Sequence, residues 1–233
     1  MAKDQRPLNL FLQALPAADF EALRSHLQTV ELTRESVLID AGDAPTQIYL
    51  PHSGVISMVV SLSEGQAVEV AMVGRDGVVG ALEALGDGIA PTDAVVLCPG
   101  TASVLHVATL KAIAAQSATL RSLLMRHGQA LLAQAQQSVA CNAAHSVEER
   151  LARWLLRARD LWDGESLPLT QELLARMIGV QRNAVSIVAH ALQQAGVLSY
   201  SRGKIEITDL KALRGTACEC CQTFRAMQMQ LLG

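Results

Sequence analysis

The segment from Leu169 to Ile207 limits what this chain can fold into more than any other. Thr170 can cap a short helix through Gln171–Met177, Ile178-Gly179-Val180 fits a turn, and Gln181–Ala195 has the period of a second helix. Two short helices joined so tightly need a small residue at their crossing and a turn residue that tolerates positive φ. Ala175 and Gly179, four residues apart, meet both needs. Val185 and Val188 then face the first helix, which leaves Gln181, Arg182, Asn183 and Ser186 as the polar start of the second. After Gly196 come a short strand, a turn at Arg202-Gly203-Lys204 and a second strand ending at Ile207, so a hairpin with two cations at its tip follows the helix pair.

A helix pair of this kind projects the start of its second helix into the major groove of DNA. Arg can donate two hydrogen bonds to guanine O6 and N7, and Asn or Gln can make the paired match to adenine. Gln181, Arg182, Asn183 and Ser186 are therefore expected to read bases, while Thr170, Arg202 and Lys204 are expected to touch phosphate. Any helical hairpin could carry the Ala-x-x-x-Gly spacing alone; the wing that follows makes the assignment specific. Charge runs the same way: residues 1–145 hold 8 Lys+Arg against 13 Asp+Glu, and residues 146–233 hold 11 against 9. The C-terminal part can meet a polyanion from which the acidic N-terminal part is kept away.

The rest of the chain reads as a sequence of period changes. Leu8, Phe11, Leu12 and Leu15 form one helical stripe and, past Pro16, Phe20, Leu23 and Leu27 form another. From Val30 to about Val107 short β-rich runs follow (Ser36–Ile39, Ile48–Leu50, Val55–Leu62, Ala67–Val73, Ala94–Cys98, Ala102–Val107), punctuated by Gly, Asp and Pro, with Glu64-Gly65 as the expected hairpin tip. Many short strands with regular turns indicate a sandwich or barrel. From Leu110 to Asn142 the pattern is helical and free of proline, with Leu120, Leu124, His127, Leu131 and Ala135 on one seam. A helix of roughly 25 residues would be about 38 Å long, more than one small domain requires, so the seam is expected to join two copies of the chain. Ser146-Val147-Glu148-Glu149 fits a capping box and starts a further helix.

With these parts in order, the sequence resembles the Crp/Fnr family of bacterial transcription regulators, most specifically over Leu169–Ser186 and Tyr200–Ile207. The resemblance implies an α+β fold in three parts: a double-stranded β-helix (jelly roll) sensor domain with flanking helices over 1–115, a dimerisation helix over 116–145, and a winged helix-turn-helix over 146–233. It implies a homodimer on a double-stranded, inverted-repeat operator, with RNA polymerase as a further partner. Ile187 departs from relatives that carry a second Arg there, so the preferred half-site is expected to differ from theirs.

The resemblance also frames the sensor. Nucleotide binders of the family carry Gly-Glu-x-Gly followed shortly by Arg-Ser. Here the matching stretch is Gly77-Val78-Val79-Gly80, and no Arg occurs between Arg75 and Arg121. An uncompensated phosphate in a partly buried pocket is costly, so cyclic AMP is not the expected effector. Gly74, Gly77 and Gly80 could still cradle another anion, or merely serve tight turns. The N-terminal cysteine cluster of the oxygen-sensing branch is missing, because the first cysteine is Cys98. Cys218, Cys220 and Cys221 offer three thiols for a metal or cluster, with Cys98 or Cys141 as a remote fourth, and His52, His106, His127 or His145 could ligate haem. A thiol- or metal-dependent redox protein built on Cys218, Cys220 and Cys221 is the alternative reading. No catalytic set, resident cofactor or metal is expected, and no Walker loop or His-Glu-x-x-His motif occurs. Five cysteines, three of them crowded together, suit free thiols; with no apolar h-region near Met1 and no run of about 18 apolar residues, the expected location is the cytoplasm, without a membrane partner.

Overall fold

The computed structural model describes residues 8–63, 66–86 and 88–232; the expected hairpin tip at Glu64-Gly65 lies outside them. Two short helices, α1 (Leu10–Ala14) and α2 (Ala17–Arg24), open the chain and bury Phe11, Leu12, Phe20 and Leu23. Asn9 fixes them in place: its Oδ1 accepts from the Leu12 N–H at 3.1 Å, and its Nδ2 donates to the Pro51 and Gly77 carbonyls at 2.9 and 2.8 Å.

Seven strands follow: β1 (Gln28–Leu32), β2 (Val37–Ile39), β3 (Gln47–Pro51), β4 (Val55–Ser61), β5 (Ala67–Val73), β6 (Asp93–Cys98) and β7 (Gly100–His106), with α3 (Ala81–Leu85) between β5 and β6. They form two antiparallel sheets, ordered β1-β7-β3 and β2-β6-β4-β5. Leu32, Ile39, Ile56, Val73, Ala94, Val96 and Ala102 fill the space between them, giving a double-stranded β-helix. Strand β1 escaped the sequence pattern because only Leu32 of its five residues is buried.

The helical run after the roll is broken. Helix α4 (Val107–Gln116) stops at Ser117, whose backbone is extended and whose hydroxyl caps α5 (Ala118–Ala144) by accepting from the Leu120 N–H at 3.0 Å. Arg121 holds the break by donating to the Ala114 and Ala115 carbonyls. The 27 residues of α5 make a rod about 40 Å long.

The expected seam on this helix is corrected by its burial. Leu120 and Leu124 pack with Phe11, Leu12, Ile48 and Leu105 of the same chain, and His127 is buried against the Gly77-Val78 backbone. Leu131 packs on the interior of the roll, and Ala135 is half-buried. Leu120, Leu124 and His127 are therefore covered by the chain itself, while Leu131 and Ala135 are covered only in part. The large apolar side chains of α5 left to solvent are Met125, Leu132 and Val139, seven residues apart and 53, 59 and 69% exposed.

Helix α6 (Val147–Leu161) starts at Ser146, where the capping box closes in both directions. Then come β8 (Ser166–Leu167), α7 (Gln171–Ile178), α8 (Arg182–Gln194), β9 (Leu198–Ser201), β10 (Lys204–Ile207), α9 (Leu210–Thr216) and α10 (Cys220–Leu232), with a small sheet ordered β8-β10-β9. The core of this winged helix-turn-helix does not stop at its own boundary. Trp154, Leu155, Ala158, Leu174 and Met177 share one buried cluster with Val55, Val59, Ala67, Met72 and Leu97 of the roll.

Candidate nucleic-acid interface and sensor loop

Thr170 caps α7, its Oγ1 accepting from the Leu173 N–H at 3.1 Å. At the other end Gly179, with φ +65°, provides the left-handed turn through which α8 can start at once. Val185 and Ala189 bury one face of α8 while Gln181, Arg182 and Asn183 are exposed at its start. Gln181 makes no capping bond with its amide. The only ion pair at Arg182 among the described residues is to Glu172, 3.8 Å away with both side chains about two-thirds exposed; a pair so open to water is readily exchanged for a base or phosphate. Ser186 behaves otherwise than expected. Its hydroxyl lies 2.7 Å from Gln171 Oε1 and 3.1 Å from the Arg182 carbonyl, so its one proton is spent inside the motif. Ile187 beside it is 72% exposed.

The wing turns through two residues, with φ +48° at Arg202 and +74° at Gly203, and both Arg202 and Lys204 are exposed. A Cβ on Gly203 would sit 3.5 Å from the Thr170 methyl, and the Gln171 N–H donates to the Tyr200 hydroxyl at 3.3 Å. Wing tip, Thr170 cap and α7 N-terminus thus form one polar corner, with Arg202 and Lys204 exposed beside it.

In the sensor loop the three glycines answer to packing. Gly74 has the Leu161 side chain against it, a Cβ on Gly77 would overlap the His127 ring, and Gly80 takes φ +83° at the start of α3. Its N–H groups are largely engaged: Gly77 donates to the Gly74 carbonyl, Val79 donates to the Tyr49 carbonyl, and His127 Nε2 lies 3.1 Å from Val78 N and 2.9 Å from its carbonyl oxygen. Val78 and Val79 are each 1% exposed. The loop is a packed turn and offers no ready cradle for an anion. A cavity of about 480 Å³ opens instead where α1, α5, α6 and α10 meet, lined by Phe11, Leu123, Arg75, Arg126, Arg157 and Met229.

The histidines considered for haem are dispersed. His52 meets the Ser103 hydroxyl at 2.8 Å, His106 stands exposed before α4, and burial holds His127 below the usual imidazole range, hence neutral. His145 is the exception and joins the thiols. Cys218 and Cys220 cluster with Cys141, whereas Cys221 lies beside Asp160 and Arg225. Burial pushes the Cys218 thiol up to about 12, which leaves it protonated and a poor nucleophile, against the redox alternative.

Sequence reasoning also missed Glu69. This strand residue is buried between roll and α6, accepting from the Ser57 hydroxyl at 2.6 Å and from Trp154 Nε1 at 2.8 Å. Burial outweighs these bonds and the nearby Arg153 and Arg157, and raises its carboxyl to about 8.

Comparison with known proteins fits these parts in their order. The cyclic nucleotide-binding domain model matches residues 29–117 and the Crp-like helix-turn-helix domain model matches residues 149–216. Among solved structures, a Crp/Fnr-family regulator from Eubacterium rectale aligns with TM-score 0.70 and 18% identity, over 88% of this chain and 95% of its own. FixK2 from Bradyrhizobium japonicum aligns with TM-score 0.69 and 17% identity, over 82 and 98%. CLP, described as a c-di-GMP responsive global regulator from Xanthomonas campestris, aligns with TM-score 0.65 and 17% identity, over 82 and 99%. A search of curated proteins returns no match. No helix among the described residues is long and apolar enough to cross a membrane. The solved structures share the fold, and the cyclic nucleotide-binding and Crp-like helix-turn-helix models, matched in this order over about two thirds of the chain, place this protein in the Crp/Fnr family of transcription regulators.

Proposed function

We propose that the protein is a cytoplasmic, dimeric, sequence-specific regulator that sets α8 of each copy into the major groove of an inverted-repeat operator. The observation that carries this reading is the exposed start of α8, Gln181, Arg182 and Asn183, next to a motif whose wing tip, at Gly203 between the exposed Arg202 and Lys204, lies against the Thr170 cap. Ile187 extends the reading face with an apolar contact of the kind that recognises a thymine methyl, while Ser186 positions α8 on α7. The dimer is proposed to form through Met125, Leu132 and Val139, a seven-residue repeat on the face of α5 that the roll leaves open. The test is selection of bound sequences from random duplex DNA, with the winners titrated by fluorescence anisotropy at several salt concentrations. A two-fold symmetric consensus, its half-sites centred about one turn (~34 Å) apart, is expected. Binding with no sequence preference would overturn the proposal.

The signal is proposed to be other than a cyclic nucleotide and to enter at the cavity between α1, α5, α6 and α10. The engaged N–H groups of Gly77–Val79 and the two buried valines support the first part; the room beside α10, against both the roll and α6, supports the second. Calorimetry with cyclic AMP, cyclic GMP and c-di-GMP should show no saturable heat at micromolar concentrations. Micromolar binding that also shifts operator affinity would refute it.

A further inference from the structure

We propose that Cys141, His145, Cys218 and Cys220 bind one thiophilic divalent cation of the zinc type, fastening the C-terminal helix to the end of the long helix. Their ligand atoms all lie within 4.8 Å of one another. Cys141 and Cys218 Sγ are 3.5 Å apart, and Cys220 Sγ is 3.7 Å from His145 Nδ1. Four ligands about 2.0–2.3 Å from a tetrahedral zinc ion stand roughly 3.5–3.8 Å from each other, which these two distances match. The S–S distance is far beyond a disulfide's ~2.05 Å. It is also short for an iron–sulfur cube, which would need to fit its own irons and sulfides between the ligating thiolates.

The chain builds the site from two places distant in sequence. Cys141 and His145, one turn apart, share a face at the C-terminal end of α5. Cys218 precedes α10 and Cys220 is its first residue. The cation would thus lie between the C-terminal end of a 27-residue helix and the N-terminal end of a 13-residue one. The surroundings hold the ligands as metal sites commonly do. Glu219 Oε2 is 3.2 Å from His145 Nε2, placed to accept a hydrogen bond from that nitrogen and to leave Nδ1, which faces Cys220 Sγ, for the cation. Gln137 Nε2 donates to Cys220 Sγ at 2.9 Å. The three cysteines are at most 5% exposed, and His145 keeps 16% of its side chain in water.

Three thiolates and a neutral imidazole fill a tetrahedron, so the site is closed and its role is to hold structure. Binding displaces the three thiol protons to solvent. What it secures is α10, which reaches back over the sensor: Gln228 donates to Asp76 at 2.6 Å, Arg225 pairs with Asp160, and Phe224 lies under the Arg157 guanidinium at 5.1 Å.

The test is to strip reduced, full-length protein with a chelator and titrate it with Co²⁺, then Zn²⁺. One Co²⁺ per chain should bind with the visible bands of a tetrahedral ion and sulfur-to-cobalt charge transfer, and one equivalent of Zn²⁺ should bleach both. X-ray absorption of the zinc form should give three sulfurs and one nitrogen. Cys141→Ser, Cys218→Ser or Cys220→Ser should each weaken binding by roughly a hundredfold or more, Glu219→Gln by about tenfold, and Cys221→Ser should change nothing. No tetrahedral cobalt spectrum from the wild type, a ligand set other than three sulfurs and one nitrogen, or an equal loss in Cys221→Ser would overturn the proposal. The wild-type measurements decide it even where a variant fails to fold.

Discussion

Arg182 and the two wing cations carry the same charge and should nevertheless fail differently. A guanidinium over guanine is judged by the base it meets, so Arg182→Ala should cost ~1–3 kcal/mol on the preferred operator and relax the choice at one position of each half-site. Arg202→Ala and Lys204→Ala remove contacts that carry no base information; they should weaken all sequences alike and flatten the dependence of affinity on salt. Anisotropy titrations on matched and singly mismatched duplexes separate the two classes, and equal losses from Arg182→Ala on specific and random DNA would take α8 out of the groove. The DNA contacts proposed for Arg182, Arg202 and Lys204 rest with these titrations; the three were legible in the sequence as exposed cations of a local motif. Ser186 was not, since its partner Gln171 stands on the preceding helix and only the crossing of α7 and α8 brings them together. Cys141 and His145 had the four-residue spacing of one helical face, a signal that was present, yet their pairing with Cys218 and Cys220 depends on where α10 packs.

Helix α5 shows how a stripe can be read correctly as a stripe and assigned to the wrong neighbour. Leu120, Leu124 and His127 have the period of a seam, and the roll of the same chain covers them. Periodicity says that a face is apolar, not what buries it. The second face, Met125, Leu132 and Val139, is sparse enough to be missed among Arg121, Gln129 and Gln136, yet it keeps a strict seven-residue repeat. The two faces call for opposite outcomes. Leu124→Ala should cost about 2–5 kcal/mol of folding free energy by opening a cavity under the roll. Leu132→Glu should leave each folded chain within about 0.5 kcal/mol of its stability and split the proposed dimer. Sedimentation velocity and urea denaturation on both variants check this pair of expectations, and a Leu132→Glu protein that sediments as the wild type does would overturn the proposed dimer face.

For the whole molecule, the decisive feature is that the buried cluster runs unbroken from the roll into the winged helix-turn-helix, with Glu69 inside it. Charge asymmetry along the sequence sets the C-terminal part, 11 Lys+Arg against 9 Asp+Glu, apart from the acidic N-terminal part. The apolar faces of α6 and β5 join them, because each leaves side chains that only the other can cover: Trp154 and Leu155 on one side, Ala67 and Met72 on the other. Such a chain should melt in one calorimetric transition. Its stability should also depend on pH through Glu69, whose carboxyl is raised from 4.5 to about 8, chiefly by burial. Below about pH 4.5 folded and unfolded chains both hold the proton, and this group imposes no cost. Between there and about pH 8 the folded chain binds more proton than the unfolded one, so its contribution to stability falls by up to ~1.4 kcal/mol per unit as pH rises. The carboxylate regains water only if α6 leaves β5, which makes the junction of sensor and DNA-binding domain the place where that cost is relieved. Glu69→Gln keeps acceptor and shape without the charge. It should raise the melting temperature at pH 8, leave it nearly unchanged at pH 5, and flatten the slope between them. If thermal scans show the same pH slope in wild type and variant, Glu69 does not ionise at the junction, and the pH dependence has another source.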